Sequence, residues 1–386
     1  MPDASYLDYH AHTPLDPEVR SALFEAYIGL DANPHSQSKN GDAARIAIET
    51  ARQAVGALVG FAPSDVIFTS GATEANNLAI TGVLAHLRQT GRKQILVSAG
   101  EHASVLSAVA AIKDDFDVRV VPLSRSGRID QNAFAETLGP KTGLVSIAAA
   151  NHEIGTLQPI SDIARTARAL GAIVHSDLAQ AAGKVPLELS QVDMVSLTAH
   201  KLYGPIGIGA LCARRRVRRL LTPLLRGGGQ EGGMRSGTVP APLAVALGAA
   251  CSIASERLLT EAQRVAALRD RLLERLTASI EVFVNGDMDN RLPGNLNLRF
   301  PGVDGEALVM RVRENLVIST GSACSSKSLE PSHVLLAIGL TRGEAESAIR
   351  IGIGRFTTEH EVDRAASLLC AAVNDLRAMS GRLRAS

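Results

Sequence analysis

Residues 196–205 read Ser-Leu-Thr-Ala-His-Lys-Leu-Tyr-Gly-Pro, a small and apolar stretch ending in His200-Lys201 at a Gly-Pro turn. Burial at a strand end disfavours the charged form of a lysine and lowers its pKa. Only a neutral amine attacks an aldehyde to form a Schiff base. Upstream, Val174-His-Ser-Asp177-Leu-Ala-Gln180 places an acid at another strand end, 24 residues before Lys201. A carboxylate there can keep a pyridine nitrogen protonated, so that the ring acts as an electron sink. Phe68-Thr-Ser-Gly71-Ala72-Thr73-Glu74 reads as a strand, a small-residue turn and a helix start. The free N–H groups and dipole of such a turn suit a phosphate, and Thr73 is placed to cap the helix and donate its hydroxyl. Glu101-His102 opens the next helix, where an imidazole can lie over a ring and move protons. Each motif alone also reads as ordinary structure: a surface lysine, a strand–helix turn, a structural histidine. In this order they match the aldehyde, pyridine and phosphate of pyridoxal 5'-phosphate (PLP).

The elements that must position these groups read as an α/β fold. Apolar runs at Val66–Thr69, Gln94–Ser98, Val118–Val121, Leu144–Ala148, Ile173–Ser176 and Met194–Thr198 predict strands. Helical spacing over Glu74–Arg88, His102–Ile112, Ala133–Leu138 and Ile160–Leu170 predicts helices between them. Alternation of this kind gives a mainly parallel sheet between helices. Ligands then bind at the carboxyl ends of the strands, where Asp177 and Lys201 stand. Gly207–Ala213 reads as one more, antiparallel strand, and Pro240–Ala278 as a long helix or a broken pair. A smaller α+β pattern follows. Its expected strands lie near Glu281–Val284, Asn295–Phe300 and Ile349–Ile353, and its helices near Gly305–Glu314, Ser332–Gly339 and Glu359–Met379. We expect a large domain over 16–255 and a small one from 1–15 with 256–386.

The 386 residues are 46% hydrophobic and 20% charged, with a formal net charge of +1. That balance gives no electrostatic footprint for nucleic acid, and 3% aromatics without Trp give no base-stacking platform. The first residues carry acids and no signal-like pattern, and no apolar run reads as a membrane span. The expected location is the cytoplasm. Cys212, Cys251, Cys324 and Cys370 stand far apart, so neither a zinc ribbon nor structural disulfides are expected. Cys324 alone lies in a small, polar stretch, Gly321-Ser-Ala-Cys-Ser-Ser-Lys-Ser-Leu-Glu-Pro-Ser-His333, which reads as a mobile loop. The other three sit in apolar patterns and read as core.

The motifs extend nearly end to end: Tyr6-Leu-Asp-Tyr…Thr13-Pro, Asn33-Pro34, Thr69–Asn77, Asn151…Glu153-Ile-Gly155, Gly227–Thr238, Thr320–Cys324 and Arg350…Thr358. Together the chain resembles the cysteine desulfurases of the NifS/IscS type, in the class V aminotransferase group of fold-type I PLP enzymes. The resemblance implies that L-cysteine is converted to L-alanine, with sulfur passed as a persulfide on Cys324 to an acceptor protein. It implies Lys201 as cofactor anchor and base, and Asp177 at the ring nitrogen. Gln180 and His152 fall at the ring hydroxyl, and His102 over the ring as proton donor. Ala72, Thr73, Thr198 and His200 fall at the phosphate. Thr238 matches a phosphate ligand from the other subunit, hence a homodimer. Arg350 and Asn33 fall at substrate positions, Arg350 as a bidentate clamp on the carboxylate. No metal, membrane or direct nucleic-acid partner is implied. An aminotransferase, another PLP lyase such as a selenocysteine lyase, and a degenerate partner-binding subunit are the rival readings.

The chain departs from this pattern in its histidines. His152 stands where asparagine is usual, and His10, His12 and His35 where small residues are usual. An imidazole at 152 could titrate near neutrality and tune the cofactor. The other three are expected at the entrance, as a pH-sensitive or merely solvated rim. Gln230-Glu231-Gly232 lacks an expected arginine. Arg214–Arg219 is a basic run that could dock an acidic acceptor or tRNA, or form a solvated face.

Overall fold

The computed structural model describes residues 4–320 and 330–385. Seven strands form the main sheet in the order Val66–Thr69, Gly209–Ala213, Met194–Thr198, Ile173–Asp177, Thr142–Ser146, Gln94–Ser98 and Asp117–Val121. Gly209–Ala213 runs antiparallel to both neighbours, as its position in the sequence suggested; the other pairings are parallel. Alternate side chains enter two layers. Leu96, Val145 and Val195 join one core, and Ile95, Leu144 and Met194 join another on the opposite face. Interior strands are buried, apart from the half-buried Gln94 at the start of one, whereas the edge strand Asp117–Val121 is largely exposed and carries an Asp117–Arg119 ion pair. Such charges blunt a sheet edge.

Helices Pro17–Gly29, Lys39–Val59 and Ala241–Thr277 pack together. The stretch read as one helix over Glu74–Arg88 is two, Ala72–Gly82 and Leu84–Thr90. The carbonyl of Gly82 accepts from the Thr222 N–H, and a Cβ there would press on Leu221 at 3.1 Å. That tertiary contact breaks the helix, and local spacing does not encode it. The long helix left open as one or two is unbroken over 37 residues. Its first half buries Ala244, Leu247 and Cys251 against the main sheet's helices; its second half buries Leu268, Leu272 and Leu276 in another core. It includes an apolar window long enough, by length and composition alone, to cross a membrane, which the sequence reading did not single out.

That further core surrounds a three-stranded antiparallel sheet, Ala348–Gly352, Asn295–Arg299 and Phe283–Val284. Helices Gly305–Val312 and Glu359–Ala385 cover it. The N-terminal strand Ser5–Tyr6 pairs in parallel with Leu316–Val317. The chain then runs on beside Ala348–Gly352, with the Gly352 N–H donating to the Leu7 carbonyl at 2.7 Å. Residues 8–12 are thereby carried to the carboxyl edge of the main sheet, where Lys201 meets the carbonyls of His10 and Ala11.

Candidate active site

Asp177 closes the strand Ile173–Asp177. Its carboxylate accepts from Asn76 Nδ2 at 2.7 Å and from the Ala179 N–H at 2.8 Å. Asn76 is itself fully buried on the helix Ala72–Gly82 and also donates to Ser104. Lys201 follows Met194–Thr198 in a single tight turn, Ala199–Lys201. His102 caps the helix Ala103–Ala110, its Nδ1 accepting from the Ser104 N–H at 3.1 Å. The proton of the neutral ring therefore sits on Nε2. Burial lowers the His102 pKa, against the opposing pull of Asp177.

Asp177, Lys201 and His102 line one cavity of roughly 370 Å³ with Ala72, Thr73, His152, Gln180, Thr198, His200 and Arg350. This volume suits a cofactor-sized ligand. Gly71 is the N-cap of the helix Ala72–Gly82, and no side chain caps it. Thr73 thus lies inside the first turn and is not the cap expected from sequence, because the helix starts two residues earlier. Glu74 reaches back to the Ser70 N–H at 2.8 Å and pairs with Arg235. Gly209 packs so closely that a Cβ on it would lie 2.7 Å from Gly71 Cα. The open N-terminus, a carboxylate at a strand end and an amine across the cavity form a donor set that fits the phosphate, ring nitrogen and aldehyde of PLP.

Arg350 enters from the three-stranded sheet and is 2% exposed. It donates to the His152 carbonyl at 3.0 Å, to Asp8 at 3.1 Å and to Ser319 Oγ at 3.0 Å. Its buried Nε has no hydrogen-bond partner among the described residues. Asp8 and Ser319, which hold this guanidinium, were not found from sequence. Asp8 fell within the motif at Tyr6 with no role assigned, and Ser319 lay just before the motif at Thr320.

Two buried acids flank the site histidines. Burial pushes Glu101 up to about 8; its Oε1 accepts from the Ala148 N–H at 2.9 Å, while Oε2 has no partner among the described residues. Burial pushes Glu153 up to about 7, and it accepts from Ser332 Oγ at 2.5 Å. His152 packs edge-on against His102, with ring centroids 5.4 Å apart. Burial and then the positive potential of His102, Arg350, His333 and Lys201 hold its pKa well below the ordinary value. This corrects the expectation that it titrates near neutrality: the ring is a neutral donor or acceptor.

The remaining histidines do not form one rim. His10 is 3% exposed and bonded to Gln180. His12 stacks on His200, centroids 5.9 Å apart. His200 is hydrogen-bonded to Thr198 Oγ1 at 2.9 Å, and burial lowers it to about 4. His35 is exposed and lies in a separate groove with Arg45, Arg52 and Arg218. Asn33 is exposed and closes a turn on the His35 N–H, outside the cavity. Thr238 is also exposed and outside the cavity of its own chain. Cys324, with residues 321–329 of the loop expected around it, lies outside the described residues, while Ser332 caps the helix His333–Ala337. Cys212 and Cys251 are core residues whose thiols burial pushes up, the latter to about 12. Much of the basic run is used internally: Arg214 binds the Val192 and Leu189 carbonyls, Arg216 pairs with Asp193, and Arg218 binds Ser64 and Glu231 carbonyls.

The sequence profile described as aminotransferase class-V matches residues 5–365. The chain belongs to the class-V aminotransferase family. Among its relatives, the cysteine desulfurase IscS of Rickettsia bellii (strain OSU 85-389) is 44% identical over 380 residues, covering 97% of this chain and 92% of that one. A solved NifS-like protein is 32% identical with a TM-score of 0.89, covering 97% and 99% of the two chains. SspA, solved in complex with cysteine, is 35% identical with a TM-score of 0.80, covering 92% and 100%. Family membership carries PLP use, and the expected fold class, an α/β core of fold type I, agrees with these neighbours.

Proposed function

We propose that the chain is a cysteine desulfurase that converts L-cysteine to L-alanine and passes the sulfur through Cys324 to an acceptor protein. The observation that carries this reading is the meeting of Lys201, Asp177, His102 and Arg350 in one cavity. PLP held there supplies the aldehyde that joins the substrate amine and the ring that withdraws electrons from Cα. Lys201 anchors it and moves the α-proton. Asp177, oriented by Asn76, keeps the ring nitrogen protonated. Gln180 and His152 serve the ring oxygen. The N–H groups after Gly71, with Ala72, Thr73, Thr198 and His200, hold the phosphate, and Thr238 of a second subunit completes this cradle in a homodimer.

Arg350 binds the substrate carboxylate; its Nε–H and the second hydrogen of the nitrogen that meets the His152 carbonyl are the donors its described contacts leave over. A guanidinium–carboxylate pair fixes the substrate's orientation as well as its affinity. His102, protonated on Nε2, donates a proton on the cavity side. The Cys324 thiolate then attacks the substrate sulfur. The Cβ–S bond breaks, its electron pair stays with the carbon fragment that becomes alanine after protonation, and Cys324 keeps the sulfur as a persulfide. Asn33 has no part in the chemistry of its own chain on this geometry.

The test is alanine and sulfide formation from L-cysteine under a reducing thiol. Wild type forms both in equal amounts. Cys324→Ser is expected to lose both while retaining PLP; sulfide release at the wild-type rate would overturn the route through Cys324.

A further inference from the structure

Gln180 is 6% exposed and stands in the cavity wall three residues after Asp177. Its carboxamide meets three groups. Nε2 donates to the His10 carbonyl at 2.9 Å. Oε1 lies 3.1 Å from His10 Nδ1 and 3.4 Å from Lys184 Nζ. These contacts admit one assignment. A carbonyl only accepts, so the amide nitrogen must face the His10 carbonyl. The Lys184 amine, 3.4 Å from the amide oxygen, is placed to donate to it in that orientation. His10 Nδ1 therefore carries the proton and donates to Oε1. Turning the carboxamide over would set oxygen against oxygen and N–H against N–H at the first two contacts. His10 Nε2 is then the bare nitrogen, and it has no hydrogen-bond partner among the described residues.

His10 thus grips both ends of one carboxamide, the nitrogen through its backbone and the oxygen through its ring. The nitrogen has two hydrogens, and the His10 carbonyl uses one. We propose that His10 is a positioning residue, locking the Gln180 carboxamide, with Lys184 behind it, so that an N–H and not the oxygen is offered to the ring oxygen of the cofactor. This rests on the reading of the cavity as a PLP site. The resemblance puts small residues at position 10, so the ring contact belongs to this chain's own sequence. The lock holds across the working range because His10 stays neutral. Burial first, then Lys184, Arg350 and Lys201 facing it, push its pKa well down against the opposing effect of Gln180. Lys184 also lines a small cavity on the far side of His10 with Glu261 and Tyr203.

A donor on the ring oxygen favours the form in which that oxygen carries its full negative charge. Losing the lock weakens PLP binding and raises the pH midpoint of the bound cofactor's visible absorption. The experiment titrates the apo form of the full chain with PLP and follows that band against pH for wild type, His10→Asn, His10→Leu and His10→Ala. Asn returns a donor near the place of Nδ1; Leu fills the space without one. His10→Asn is expected within about twofold of wild type in affinity. His10→Leu and His10→Ala are expected to bind about five- to tenfold more weakly, with the midpoint up by about half a unit to one unit. Equal affinity and midpoint in His10→Leu and wild type overturns the lock. Failure of wild type to bind PLP at all overturns the reading of the cavity instead. Should His10→Ala not fold, the Asn and Leu variants decide. In the apo chain, ¹⁵N spectra of labelled histidine are expected to show His10 as the Nδ1–H tautomer; the Nε2–H tautomer overturns the proposal.

Discussion

Asp177 and Arg350 face the same cavity, yet their supports differ. Asp177 belongs to the seven-stranded sheet, and its partners Asn76 and Ala179 sit on a helix packed on that sheet and on the turn that follows the strand. Arg350 belongs to the small sheet, and its partners come from the N-terminal segment, the turn after Asn151 and the stretch near Thr320. One wall is a single layer with a carboxylate set into its edge. The other is a junction of separate pieces, held by a buried charge. A layer fixes a cofactor that stays; a junction suits a substrate that must come and go.

The sharpest break in this comparison is expected at the amine that works against both walls. Lys201→Ala should cut cysteine turnover by roughly three orders of magnitude or more, and borohydride should fix no PLP to the chain. Turnover within tenfold of wild type would remove Lys201 from the mechanism. Next, Arg350→Ala should raise KM for cysteine by about 10- to 100-fold with PLP affinity within about twofold. Its thermal stability should also fall, because Asp8 is left buried beside Ser319 without its charge partner. Asn76→Ala should do the reverse. PLP affinity should drop about five- to tenfold with KM little changed, and a rise in KM alone would show that the walls are not separate.

The buried acids bear on stability. Burial pushes Glu101 up to about 8, from an ordinary value of about 4.5 in the unfolded chain. The folded chain therefore binds the proton more tightly than the unfolded chain, and stability falls as pH rises from about 4.5 to 8. Glu101→Gln removes that slope. It should match wild type near pH 5 and exceed it by about 1–3 kcal/mol near pH 8.5, read from urea unfolding; equal stability at both pH values would mean that the carboxyl is not held protonated. The smallest effect is expected at His152→Asn. A neutral imidazole replaced by a neutral amide should leave the pH–rate profile between about 6 and 9 in place, with the rate changed by at most about tenfold. A moved limb would show that His152 titrates after all.

The cofactor wall was legible in the sequence because each group ends a strand or opens a helix, and hydrophobic patterning marks such points. Lys201, Asp177 and His102 all stand at them. Arg350 was legible only through the resemblance, and Asp8 and Ser319 were not legible as its partners, since contacts across 342 and 31 positions leave no local pattern. His152 could be named but not its charge state, which depends on burial and on four neighbouring groups. The helix break at Gly82 and the exposure of the edge strand Asp117–Val121 escaped for the same reason: Leu221 and the strand order are set by packing.

The pairing of the N-terminal segment with the far end of the chain also orders events during synthesis. The sheet that carries Asp177 and Lys201 can assemble from residues already translated, whereas Asp8 must wait for Arg350. At about 5–20 residues per second, that wait is roughly 20–70 s. A chain that stops before Arg350 therefore carries the groups expected to hold the aldehyde cofactor but no clamp for an amino acid. On the proposed reading, sulfur mobilisation waits until the chain has been made past Arg350.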